Sequence, residues 1–378
     1  MESYKKELAK LNPLQRQAVE SIDGPLLVIA GPGTGKTQLL SMRVAYILKN
    51  TDTDPGNILC LTFTNKATTN MRDRIMGIVG VEGRKVQIKT FHSFAAEIIN
   101  QYPEYFWNGA KLSIAPDAMQ LGIIQKILLN LPLDSPLALK FAGQLTTTDA
   151  VRNGLKLAKE AGLTPDKLRA IIQANLSYID VIEPKLIDIL GPTLSQKRLN
   201  KLATDIASLP EQDIDSQVAP LLSLKTVLTE SLDFAIKQDE GTNKTKHVGQ
   251  WKRRWIKTIN ARKSMHDERK RNAWWLELAD VYEEYRRQLH ARGYYDYSDM
   301  LVEVLSSLEQ NPELLADARE RFLYVMIDEF QDTNSAQLRL AHLVADHDSA
   351  NQRPNIMAVG DDDQAIFAFN GAELNNML

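Results

Sequence analysis

The 378-residue sequence predicts an α/β protein built on a parallel sheet, interrupted by one large all-helical insertion. Three observations carry this reading. The apolar run Pro25-Leu26-Leu27-Val28-Ile29 passes straight into Ala30-Gly31-Pro32-Gly33-Thr34-Gly35-Lys36-Thr37. A helical stripe of Leu39, Leu40, Val44, Ile47 and Leu48 follows, so the order is strand, glycine turn, helix. A second run, Phe322-Leu323-Tyr324-Val325-Met326-Ile327, ends at Asp328-Glu329 and has the unbroken apolarity of a strand covered on both faces. Lys36 and Asp328 stand 292 residues apart, far more than one sheet needs between them, so an insertion must lie between.

Taken in order, strands are expected at 25–30, 58–63, 86–90, 322–327 and 355–359. The middle lacks a strong strand signal. Thr164-Pro165-Asp166 has the form of a helix start, with proline in the first turn. Leu221, Leu224, Leu228, Leu232 and Ala235 form another helical stripe. Asp239-Glu240-Gly241-Thr242-Asn243 is the most linker-like piece. These signals divide the chain into a discontinuous domain, 1–108 and 275–378, and an insertion, 109–274.

The glycine turn is a phosphate cradle by its chemistry. Glycines let successive backbone N–H groups converge on an anion, and the helix N-terminus adds partial positive charge. Lys36 can reach the β- and γ-phosphates of a nucleotide, and the Thr37 hydroxyl can ligate magnesium. Ala30 stands where the usual pattern begins with glycine; Gly31, Pro32, Gly33, Thr34 and Gly35 complete the loop. Asp328 is suited to hold magnesium, and Glu329 to orient and deprotonate an attacking water. These residues make ATP and Mg²⁺ the expected cofactors.

The neighbouring strings say which kind of ATPase this is. Asp328-Glu329-Phe330-Gln331-Asp332-Thr333-Asn334 resembles motif II of the UvrD/Rep-like DNA helicases of superfamily 1A. Leu11-Asn12-Pro13-Leu14-Gln15 resembles their Q motif, and Leu61-Thr62-Phe63-Thr64-Asn65-Lys66-Ala67 their motif Ia. Thr90-Phe91-His92-Ser93 follows a strand as in the family, and Val359-Gly360-Asp361-Asp362-Asp363-Gln364 resembles motif III. The strings occur in family order, dense at both ends of the chain and nearly absent from the middle. The resemblance implies a first RecA-like domain whose inserted subdomain lies near duplex DNA, acting in 3′ to 5′ movement on single strands.

By the same resemblance Gln15 reads the adenine edge, Glu329 is the general base and Gln364 senses the γ-phosphate. Gln38 stands where relatives commonly carry arginine beside the nucleotide, which implies weaker adenine binding. For DNA, Phe63 is the stacking platform, with Thr62, Asn65 and His92 as polar contacts; at a strand end Phe63 can also be core. Base–aromatic stacking contributes roughly 1–3 kcal/mol per base and tolerates any sequence. Relatives follow motif III with Tyr-x-Trp-Arg-Gly-Ala, where this chain has Phe367-Ala368-Phe369-Asn370-Gly371-Ala372. Two aromatic faces survive and the arginine charge does not. Tyr297-Ser298-Asp299 echoes another family string, and a buried structural carboxylate explains it as well as a catalytic one.

Composition narrows the class further. Net charge is only −3, so overall basicity does not hold nucleic acid here. Between Lys244 and Arg271, however, eleven lysines and arginines face only Asp267 and Glu268. Lys252, Arg253 and Arg254 are the candidate phosphate contacts in this stretch. Trp251 and Trp255, four apart, share one helical face and are expected to be core. The one cysteine, Cys60, excludes an internal disulfide framework, and no metal-ligand spacing occurs among the histidines. No apolar run approaches membrane-spanning length, which with the single thiol fits a cytoplasmic protein.

The expected function is an ATP-dependent DNA helicase or translocase acting on single-stranded DNA and duplex junctions. The alternative is a DNA- or partner-binding module that keeps its ATP pocket without unwinding. Fourteen residues follow Gln364, fewer than the roughly 40 of even a marginal domain. The second RecA-like half, with its arginine finger, is therefore expected to be missing from this chain. Alone, the chain is expected to hydrolyse ATP feebly and to unwind nothing.

Overall fold

A computed structural model describes residues 2–109, 111–212, 223–242, 244–346 and 353–361. Within them the chain forms two compact units. One comprises the residues up to Gln120, Lys156–Thr164 and those from Gln288 onward; the other comprises Leu121–Leu155 and Pro165–Arg287.

The first unit is organised by a five-stranded sheet. Its strands are β1 (Leu26–Ile29), β2 (Ile58–Thr62), β3 (Gln87–Thr90), β4 (Tyr324–Ile327) and β5 (Ile356–Gly360). Their order is β1-β5-β4-β2-β3, and every pairing is parallel. Parallel neighbours need crossover helices, and these cover both faces of the sheet except at β1, where Leu27 and Ile29 stay exposed. Alternate side chains explain how one strand serves two cores. Ile58, Cys60, Met326, Met357 and Val359 pack with helices α1 (Glu2–Leu8), α2 (Pro13–Glu20), α3 (Lys36–Asn50) and α4 (Asn65–Val79). Leu59, Leu61, Val325, Ile327 and Ile356 pack on the other side with α5 (Phe91–Gln101) and the helices Asp299–Gln310 and Ser335–Ala345. Cys60 is buried in this apolar setting, which pushes its thiol up to about 12 and leaves it a small hydrophobe.

Residues 156–164, expected in the insertion, group instead with the sheet. Local packing explains why. Gly162 has φ +70°, and a Cβ there would stand 3.0 Å from Leu305 and 3.4 Å from Ala336. Lys159 is buried and reaches Asp296 Oδ2 at 2.7 Å and Asp299 Oδ1 at 3.3 Å. Asp299 of the Tyr297-Ser298-Asp299 string is thus a carboxylate buried in an ion pair.

The second unit is helical, as expected, with two short hairpins added: Lys140–Phe141 with Gln144–Leu145, and Lys257–Ile259 with Arg262–Ser264. Helix Pro165–Leu190 begins at the anticipated proline. Leu228 and Leu232 of helix Leu224–Asp239 meet Trp251 and Trp255 of helix Lys246–Trp255 in one apolar cluster. The linker-like stretch opens with a structural residue: buried Asp239 accepts the N–H groups of His247 (3.1 Å) and Val248 (2.9 Å), tying down that helix's first turn. Among the described residues no helix is long and apolar enough to cross a membrane.

Candidate functional site

The register of the sheet brings the chemistry to one edge. Ile29 pairs with Gly360, and Ala30 N–H donates to Gly360 O at 2.9 Å. Asp328 N–H donates to Leu61 O at 3.0 Å. Ala30, Asp328 and Asp361 therefore stand together at the carboxyl ends of β1, β4 and β5, where open α/β sheets bind ligands.

The phosphate loop is held by its own chain. Gly33 (φ +72°) and Gly35 (φ +83°) adopt the left-handed conformation, and Gly35 is the N-cap of α3. With no side chain at that cap, the first N–H groups of α3 stay available to an anion. Thr34 Oγ1 donates to Gly31 O at 2.7 Å. Gln15 spans from α2 to this loop: its amide accepts Asn12 N–H in a capping box and donates to Thr34 O, both at 3.0 Å. The cleft in front, about 480 Å³, is lined by Asn12, Gln15, Leu27, Ile29, Gly31 and Lys36 among others, a size ordinary for small-ligand sites. Gln38 turns away from it and donates to Glu7 Oε2 at 2.8 Å.

The charged centre is compact. Lys36 Nζ lies 3.4 Å from Asp361 Oδ2 and 3.7 Å from Glu329 Oε2. Thr37 Oγ1 donates to Asp328 Oδ2 at 3.1 Å. Burial, reinforced by the Glu329 charge, raises the Asp328 carboxyl to about 6. A buried carboxylate beside another acid and a hydroxyl fits a magnesium site, because a cation relieves both the burial and the repulsion. Among the described residues no group of three or more His, Cys, Asp or Glu side chains could hold a metal alone.

A second pocket, about 180 Å³, lies at the ends of β2 and β3 in the same unit. Phe63 and His92 line it together, with Asn334 and Gln337 from the segment after Asp328-Glu329. His92 stacks on Tyr297 at 4.5 Å, and burial pushes its imidazole down to about 4, so it is neutral at physiological pH. Thr62 is fully buried, and its hydroxyl donates to Thr64 O at 3.3 Å. It shapes the turn rather than facing solvent, which departs from its expected role as a polar contact to DNA. Asn65 is exposed at the start of α4.

This arrangement of phosphate loop, acid pair and aromatic pocket coincides with a sequence match. Residues 11–378 match the UvrD/REP helicase N-terminal domain. The chain belongs to that family. It is 28% identical over 371 residues to the ATP-dependent DNA helicase PcrA of Bacillus subtilis, covering 98% of this chain and 35% of that protein. It is 28% identical over 369 residues to the ATP-dependent DNA helicase UvrD1 of Mycobacterium tuberculosis, covering 97% and 35%. It is 26% identical over 371 residues to PcrA of Staphylococcus aureus, covering 98% and 36%. This UvrD/REP chain thus spans about a third of the length of the curated relatives it matches.

Not every anticipated residue joins these sites. Gln364, Phe367 and Phe369 lie outside the described residues. In the second unit Arg253 and Arg254 are exposed, whereas Lys252 is half-buried and donates to Leu190 O. Burial, helped by Lys263 and Arg198, lowers its ammonium below the usual lysine range. Trp251 and Trp255 are buried, and Trp251 Nε1 donates to Ser231 Oγ at 2.9 Å. The basic stretch is also less naked than its sequence suggests. Arg269 pairs with Asp180 and Glu183, each at 2.7 Å, and Lys257 pairs with Asp267 at 2.8 Å. Asp180 and Glu183 sit on a helix 89 and 86 residues before Arg269, so local charge counting cannot find them.

Proposed function

We propose that this chain is the ATP-hydrolysing, single-strand-gripping part of a 3′ to 5′ DNA helicase. The observation that carries the reading is the gathering of Thr37, Asp328 and Glu329 beside Lys36, which itself lines a cleft of nucleotide size. Lys36 leaves Asp361 to neutralise the β- and γ-phosphates, and the loop N–H groups bind the remaining oxygens. Gln15 exchanges one of its two amide contacts for the adenine edge. Thr37 and Asp328 hold Mg²⁺, which when bound neutralises phosphate charge. Glu329 orients the attacking water and takes its proton, and Gln364 senses the γ-phosphate.

Phe63 stacks a base while His92 and Asn65 supply polar contacts, and Phe367 and Phe369 add stacking faces. Arg253 and Arg254, with a smaller share from Lys252, contact phosphates near a duplex junction. Full coupling requires a second RecA-like half, so the isolated chain hydrolyses weakly, in a cytoplasmic setting. The test is phosphate release from ATP by the purified chain with and without single-stranded DNA. Stimulation by DNA is expected. Nucleotide binding with no stimulation would favour a binding module instead.

A further inference from the structure

We propose that Gln331 is a positioning residue for hydrolysis, pinning one oxygen of Glu329 so that the other faces the water. The inference rests on the reading of Glu329 as the base. Glu329 has a left-handed backbone (φ 51°, ψ 53°). A non-glycine residue holds that conformation only when its surroundings fix it. A single turn of 3-10 helix, Phe330–Asp332, follows at once and is closed by Asp332 N–H on Glu329 O at 2.9 Å. This turn brings Gln331 back beneath the residue it follows.

The Gln331 side chain is 3% exposed, and both ends of its amide are used. Nε2 donates to Glu329 Oε2 at 2.8 Å, and Oε1 accepts Asp361 N–H at 2.9 Å. The second bond fixes which end is which, because a flipped amide would set N–H against N–H. Oε2 of Glu329 also lies 3.7 Å from Lys36 Nζ. Oε1 has no hydrogen bond among the described residues, so it is the oxygen left to accept a proton. Lys36, Asp361, Gln331 and Glu329 close a ring that joins the phosphate-loop helix to the ends of β4 and β5.

Two needs of catalysis meet in Gln331. A general base must be held within hydrogen-bond reach of its water, and a misplacement of about 1 Å costs on the order of 10²-fold. The amide also ties the base to the backbone of Asp361, whose carboxylate neighbours the lysine that must move to the phosphates. No other described side chain donates to Glu329.

Gln331→Met removes both hydrogen bonds at similar volume. Gln331→Glu keeps an acceptor for Asp361 N–H but replaces the donor to Glu329 with a like charge. Single-turnover phosphate release, with the full chain in excess over Mg²⁺-ATP, would be measured beside the affinity for a fluorescent ATP analogue. Both variants are expected to lose about 10- to 100-fold in rate while nucleotide affinity stays within about threefold. Thermal unfolding of both proteins checks that the loss is not misfolding. Retention of the wild-type rate by either folded variant would overturn the proposal, as would loss of rate and affinity in proportion. Glu329→Gln runs alongside: wild-type turnover there would refute the base itself, and a dead Glu329→Gln beside active Gln331 variants would refute only the positioning.

Discussion

Converting Arg253 and Arg254 to alanine tests the electrostatic part of DNA binding quantitatively. Each phosphate neutralised contributes a slope of about −0.7 on single strands and about −0.9 on duplex in log affinity against log salt. Both arginines are exposed, so the pair is expected to flatten the slope by about 1.4 to 1.8. Over a fourfold salt range this is about a 7- to 12-fold smaller loss of affinity than in the wild type. Adding Lys252→Ala should change the slope by much less than a further full charge, because that ammonium donates to Leu190 O and is half-buried. The assay is fluorescence anisotropy of a labelled tailed duplex from 50 to 200 mM salt. Trp251→Ala serves as contrast, costing about 3–5 kcal/mol of stability through a lost core contact. An unchanged slope in the double arginine variant would return these residues to an ordinary solvated face.

Three further outcomes are expected. Lys36→Ala should weaken binding of labelled ATP, while Glu329→Gln should bind it and not hydrolyse it; equal binding by Lys36→Ala and wild type would refute the cradle. Asp328 has a folded value near 6, above its ordinary 3.8, so the fold favours its protonated form and loses stability as pH rises from 4 to 6. Asp328→Asn should therefore stabilise the nucleotide-free chain at pH 7.5 by up to about 3 kcal/mol, the gain shrinking toward pH 4 in urea titrations. Lys159→Met removes a cation from beside buried Asp296 and Asp299 and should cost about 3–5 kcal/mol, with part recovered by adding Asp299→Asn.

Much of the sheet was legible because parallel strands covered on both faces must be continuously apolar. Leu59-Cys60-Leu61 and Val325-Met326-Ile327 leave little choice, and the glycines of the phosphate loop mark a turn no other residue makes cheaply. What escaped was non-local or locally disfavoured. The turn Asn260-Ala261 takes two left-handed residues (φ 50° and 62°) between basic, exposed strands, and nothing in the propensity of alanine announces it. Lys159 meets Asp296 across 137 positions, so no window of sequence contains the pair. Gln331 could be seen as part of a motif, but its task depends on a backbone inversion at Glu329 that sequence patterning does not reveal.

The last rung of the β1–β5 ladder, Ala30 N–H on Gly360 O, has a mechanical consequence. The phosphate loop begins at the donor of this bond, and Asp361 begins just past its acceptor. The two segments are therefore pinned to each other at one point. The loop and the start of Asp361 are thus joined through backbone alone, with no side chain between them. Because a one-residue slip would exchange every inward and outward side chain of a strand, this pin resists sliding.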